Sequence, residues 1–117
     1  MKMRSVFFCL IVAVATAEQA SPPGATFMKA MDASMRKMDR EMLTAPMDGN
    51  VDHDFATMMI PHHQGAIEMA EAELSYGKDP VMRRLAQEIL VDQQSEIDAM
   101  ILWLNKNTSA KWTKGKR

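Results

Sequence analysis

Met28, Met31, Met35, Met38 and Met42 recur at alternating spacings of three and four. That spacing lines them along one side of an α-helix and fits no strand. Two further stretches carry apolar residues at helical spacing. The first segment is predicted from about Thr26 to Leu43, closed by Ala45-Pro46, with Asp48-Gly49-Asn50 as turn residues. The second starts with Asp52 as N-cap and runs to about Tyr76, where Gly77 ends it. The third has Asp79 as N-cap and Pro80 at the first helical position, and continues to about Leu104. No stretch alternates with a period of two, so the expected fold is all-α, a short antiparallel up-down-up bundle of three main helices.

The ends of the chain read differently. Lys2 and Arg4 form a positive n-region, Val6 to Val14 is apolar but too short to span a bilayer, and Ala15-Thr16-Ala17 is a small-residue cleavage signature. The expected organisation is therefore a signal peptide over 1–17, a flexible leader over 18–25, a helical bundle domain over 26–105 and a basic, solvated tail over 106–117. Export to the periplasm or beyond the cell follows from the signal. Without Lys2 and Arg4 the chain has twelve basic against fifteen acidic residues, which argues against nucleic acid as the main partner. The single cysteine, Cys9, lies inside the expected signal, leaving neither disulfide nor thiol ligand nor cysteine nucleophile after cleavage.

Between Asp52 and Ala70 the chain reads DHDFATMMIPHHQGAIEMA. Thioether and imidazole are soft to borderline ligands, which select Cu(I) or its analogue Ag(I) over Mg, Ca or Mn. On an ideal helix Phe55, Met58, Ala66 and Met69 fall within about 40° of His62, and His63 stands about 100° away beside Met59 and Ala70. Both histidines thus share a wide apolar arc, each with a methionine four residues earlier, and Gln64, Glu68 and Glu71 lie opposite. Pro61 interrupts the helix directly before the pair. Its kink either serves packing alone or aims both rings into the bundle. His53 is expected on the polar side, in solvent.

In the third segment a stripe of Met82, Leu85, Ala86, Ile89, Ile97, Met100 and Leu104 should be buried, yet Gln93 and Glu96 sit within it. A buried amide or carboxylate needs a partner. Antiparallel pairing about Lys78 sets His62 level with Gln94, and pairing across the 45–52 loop sets it level with roughly Met35. One layer would then gather Met31, Met35, Met38, Met58, Met59, His62, His63, Gln93, Glu96 and Met100, with Gln93 or Glu96 holding a histidine tautomer. The methionine seam admits a purely structural reading, because methionine fills irregular cores. Against it, the first segment has no Leu, Ile or Val before Leu43.

The residues Asp52, Phe55, Met59-Ile60-Pro61-His62-His63-Gln64-Gly65-Ala66, Met69-Ala70, Leu85-Ala86, Ile89, Gln93, Glu96-Ile97, Met100 and Trp103-Leu104 resemble the domain-of-unknown-function 305 family. The resemblance covers about Asp52 to Leu104. It implies a ferritin-like helical bundle in an exported bacterial protein, in a family with some copper-binding and copper-resistance members. His62, His63, Met59 and Met69 are the motif positions it carries over.

Three classes of function remain open. The favoured one is a non-enzymatic Cu(I)/Ag(I) binder for copper sequestration, transfer or resistance. Its ligands would be His62, His63, Met58, Met59, Met69, Met31, Met35, Met38 and Met100, and its partners a copper exporter or another periplasmic copper protein. A di-iron enzyme would need Glu-x-x-His pairs, and no Glu lies three residues before His53, His62 or His63. A metal-free module would offer its methionines to a partner helix or an unfolded chain; whether so short a domain forms a homo-oligomer stays open. No nucleophile–base–orienter set for hydrolysis is present.

Overall fold

The computed structural model describes residues 22–109 and Trp112; the expected signal peptide lies outside them. The described chain forms three helices, α1 over Pro23–Leu43, α2 over Val51–Tyr76 and α3 over Pro80–Asn107. The fold is an all-α helical bundle. No described helix is long and apolar enough to cross a membrane.

Local chemistry explains each boundary. α1 begins at Pro23, earlier than Thr26, because a proline in the first turn forfeits no hydrogen bond and brings a helical φ. The N-cap of α2 is Asn50 rather than Asp52: its side-chain oxygen accepts from the amides of Asp52 and His53 at 3.0 and 3.1 Å. Asp52 instead joins Asp54 in the first turn, where negative charge suits the helix N-terminus. α2 continues through Pro61 without interruption. It ends at Gly77, where Arg83 Nη1 donates to the carbonyls of Leu74 and Gly77 at 2.6 and 3.0 Å. Asp79 caps α3 as expected, accepting from Val81 and Met82. Two short connections make successive helices antiparallel.

α2 occupies the middle. α1 and α3 each pack on it, and among the described residues their backbones do not approach each other within 8 Å. Toward α1 the contact is made at Gly65, whose carbonyl accepts from the buried Ser34 hydroxyl at 3.0 Å. A Cβ there would lie 2.8 Å from Met38 Sδ. Toward α3, the buried Ala56, His63, Ile67 and Ala70 share one face of α2, and Ala86, Ile97 and Leu104 are buried opposite.

Because α3 meets only α2, its buried stripe is narrower than expected. Met82 and Leu85 are each 47% exposed. The α1 seam is likewise rotated, with Ser34 buried, Met28 and Met35 exposed, and Met31, Met38 and Met42 half-buried. Asn105 and Trp112 exchange two hydrogen bonds, at 2.9 and 2.7 Å, which hold Trp112 to α3; the rest of the expected tail beyond residue 109 lies outside the described residues.

Candidate metal centre

His63 is 8% exposed, and its Nε2 stands 2.5 Å from Glu96 Oε2. Against an ionised carboxylate, which only accepts, the neutral ring donates from Nε2 and keeps its lone pair on Nδ1. That Nδ1 is buried and has no hydrogen-bond partner. Leaving a buried acceptor unpaired costs about 1–3 kcal/mol. Held by its carboxylate, the ring presents a buried lone-pair atom in a set orientation, the arrangement by which second partners orient metal-ligating histidines.

A contact of Glu96 with one of the two histidines is present, although the Glu96 side chain is 57% exposed rather than buried within a stripe. The two histidines separate. His62 is exposed and His63 buried, with ring centroids 5.8 Å apart at 62°. Consecutive helical residues differ by about 100°, and only the second of the pair falls on the α3-facing side.

Met58, Met59, Met69, Met31, Met38, Met100 and Gln93 are half-buried, and Met35 is exposed. They do not converge as one closed layer. Met31, Met35 and Met38 belong to the helix on one side of α2, and Gln93, Glu96 and Met100 to the helix on the other. His62, His63, Met58, Met59 and Met69 lie on α2 itself. Met38 reaches α2 at Gly65, on the far side from the His63–Glu96 contact.

His53, expected in solvent, is 8% exposed. Its Nδ1 lies 3.1 Å from Asp54 Oδ1 and 3.3 Å from Asp48 Oδ1, and its ring meets Trp112 edge-on at 6.3 Å. The Asp54 carboxylate also accepts from the amides of Asp48 and Gly49. Those loop amides, the Asp48 bond above all, and then His53 hold its pKa below the ordinary 3.8. Asp48, His53 and Asp54 place a ligand atom each within 4.8 Å of one another, but these hydrogen bonds already engage them in holding the α1–α2 connection. The acidic run Asp48 to Asp54 was the available signal for this cluster; Trp112, its cover, is remote in sequence.

The family described as Domain of unknown function (DUF305) matches residues 11–104. Among curated proteins, the Uncharacterized protein L153 of Acanthamoeba polyphaga mimivirus is 41% identical over 49 residues, which are 42% of this chain and 32% of that relative. The matched segment thus spans about a third of the relative's length.

Proposed function

Because this chain belongs to the family described as Domain of unknown function (DUF305), a name that assigns no chemistry, we propose from its own site that it is a non-enzymatic carrier of Cu(I), and of the analogous Ag(I), in the periplasm or outside the cell. The observation that supports this is the buried, unpartnered Nδ1 of His63 behind the Nε2–Glu96 contact. Copper is the cargo. Nδ1 supplies the fixed donor, and the thioethers of Met59, Met58 and Met69 on the same helix supply soft sulfur within a turn or two. His62 can add a second imidazole from the solvent side. The half-buried Met100 lies one turn beyond Glu96 on α3, while Met31, Met35 and Met38 belong to α1, on the far side of α2 from this anchor. An accessible rim around a buried anchor suits transfer to a copper exporter or another periplasmic copper protein.

Competition against a Cu(I) chelator under reducing conditions tests the reading. The protein should hold Cu(I) and Ag(I) tightly and Zn(II) much more weakly, since thioethers compete poorly for Zn(II). His63→Ala should weaken Cu(I) binding. Zn(II) retention equal to Cu(I), or an unchanged affinity in the variant, would reject it.

One observation favours a second reading. Met28, Met35, Phe55, Met82 and Leu85 are exposed, and flexible Met-rich surfaces accept varied partners. A metal-free interaction module would show no Cu(I) affinity above that of free methionine and histidine.

A further inference from the structure

Among the described residues α2 is covered by α1 on one side and α3 on the other, which leaves two open faces of opposite chemistry. One passes through Gln64 and carries Lys37 and Glu41 of α1 with Glu68 and Glu71 of α2. The other passes through His62, about 160° away around α2. On α2, Phe55, Met58, Ala66 and Met69 stand within about 40° of His62, and Phe55 is 62% exposed. On α1, Lys37 turns to Glu68 on Gln64's face. Met31, Met35 and Met38, on the other flank of Ser34, therefore fall toward His62. On α3, Asn105 holds Trp112 on Gln64's face. Met82, Leu85 and Met100, on the other flank of Ile97, fall toward His62 as well.

This face is an exposed apolar surface built by three helices. Its carboxylates stand at the margins: Glu96 is held by His63, and Asp52 and Glu73 lie toward the two ends of α2. Methionine and aromatic side chains with charge kept to the rim are the make-up of an interface centre.

Two observations identify the occupant as a second copy of this chain. The first is area. α2 has 26 residues, about 39 Å of helix, and three axes about 8–10 Å apart give a face on the order of 800 Å². A stable dimer of standard size takes about that much from each partner, whereas a single foreign helix, about 10 Å wide, would leave half of it uncovered. The second is self-complementarity. Met58 and Ala66 stand four residues before and after His62, and Phe55 and Met69 seven before and after. A two-fold rotation at the level of His62 sets Met58 against Ala66 of the second copy and Phe55 against its Met69. Both pairs recur beyond the axis, as an isologous contact requires. The long side chain meets the short one, and the thioether meets the aromatic ring.

We propose that two copies pair through their His62 faces, α2 against α2, antiparallel and in register about His62. The pairing goes beyond the copper reading and needs no metal. It covers Met58 and Met69, so it is tested on chelator-treated protein, and its failure leaves the Cu(I) competition standing.

Sedimentation equilibrium of the chelator-treated chain should give twice the monomer mass. Phe55→Glu should raise the dimer dissociation constant about tenfold or more, as loss of a central anchor does. Glu71→Lys, on the opposite face, should leave it unchanged, and both variants should keep the parent's circular dichroism. The register is read separately, on a Cys9→Ser background with a short thiol-to-thiol reagent. His62→Cys should link to itself across the axis. Phe55→Cys and Met69→Cys should each fail to link alone and should link to one another when mixed. A chain that stays monomeric up to about 1 mM, or a dimer that Phe55→Glu leaves intact, would overturn the pairing and leave the face to a partner of another kind. Phe55→Cys linking to itself while the mixture does not would overturn the register.

Discussion

At His63 a single carboxylate sets which ring nitrogen carries the proton, and the consequence can be separated from stability. Glu96 is more than half exposed, so removing it strands no buried charge. Glu96→Leu should therefore leave the apo melting temperature close to that of the parent. It should lower Cu(I) affinity by about 10–100-fold, or about 1.4–2.7 kcal/mol, the usual loss when the orienting partner of a ligand is removed. An apo form that melts well below the parent with unchanged Cu(I) affinity would instead make the contact a structural one. That Gln93 or Glu96 of α3 would meet a histidine of α2 was legible in the sequence because Asp79 and Pro80 fix the start of α3 and a three-residue connection fixes its register. The division of labour between His62 and His63 was not legible. It depends on the bearing of α3 around α2, which helical periodicity leaves undetermined.

Between elements, Gly65 sets how closely α1 approaches α2. Gly65→Ala should be destabilising although alanine is the better helix former, because the added carbon would meet Met38 Sδ at 2.8 Å and Met38 Cβ at 2.9 Å. Overpacking of this kind costs about 1–3 kcal/mol, measurable by denaturant unfolding, and a stability gain would show that α1 yields freely. Acid and alkali should loosen the same helix pair at different points. Asp54 has a lowered pKa, first from the Asp48 amide and then from His53. Its contribution is complete above 3.8 and is lost as pH falls through the lowered value. Lys37 is raised, first by its hydrogen bond to Glu68, so its contribution is present below 10.5 and is lost as pH rises through the raised value. Asp54→Asn should flatten the acid limb of a pH–stability profile and Lys37→Met the alkaline limb; profiles that keep both slopes would deny these contacts a role. The existence and type of all three helices followed from spacing and caps. The burial of their faces did not, because Ser34 and Gly65 mark the real α1–α2 seam and neither belongs to an apolar pattern.

For the whole molecule, the central position of α2 divides stability unequally. α1 contributes one buried residue, Ser34, and packs on α2 alone, whereas α3 buries Ala86, Ile97 and Leu104. Native-state hydrogen exchange should show α1 opening at a lower free energy than the α2–α3 pair. Equal protection in all three helices would indicate that a contact beyond the α1–α2 seam secures α1. The same openness leaves Met28 and Met47 more than half exposed and Met35 and Met82 not far behind. A thioether in that position takes up an oxygen atom from peroxide or hypochlorite and becomes a polar sulfoxide, no longer a soft donor. Oxidant exposure would thus convert these exposed sulfurs before the half-buried Met58, Met59, Met69 and Met100 and leave the His63 imidazole for last, so that, on the proposed reading, capacity for a soft ion would depend on the reducing power around the chain.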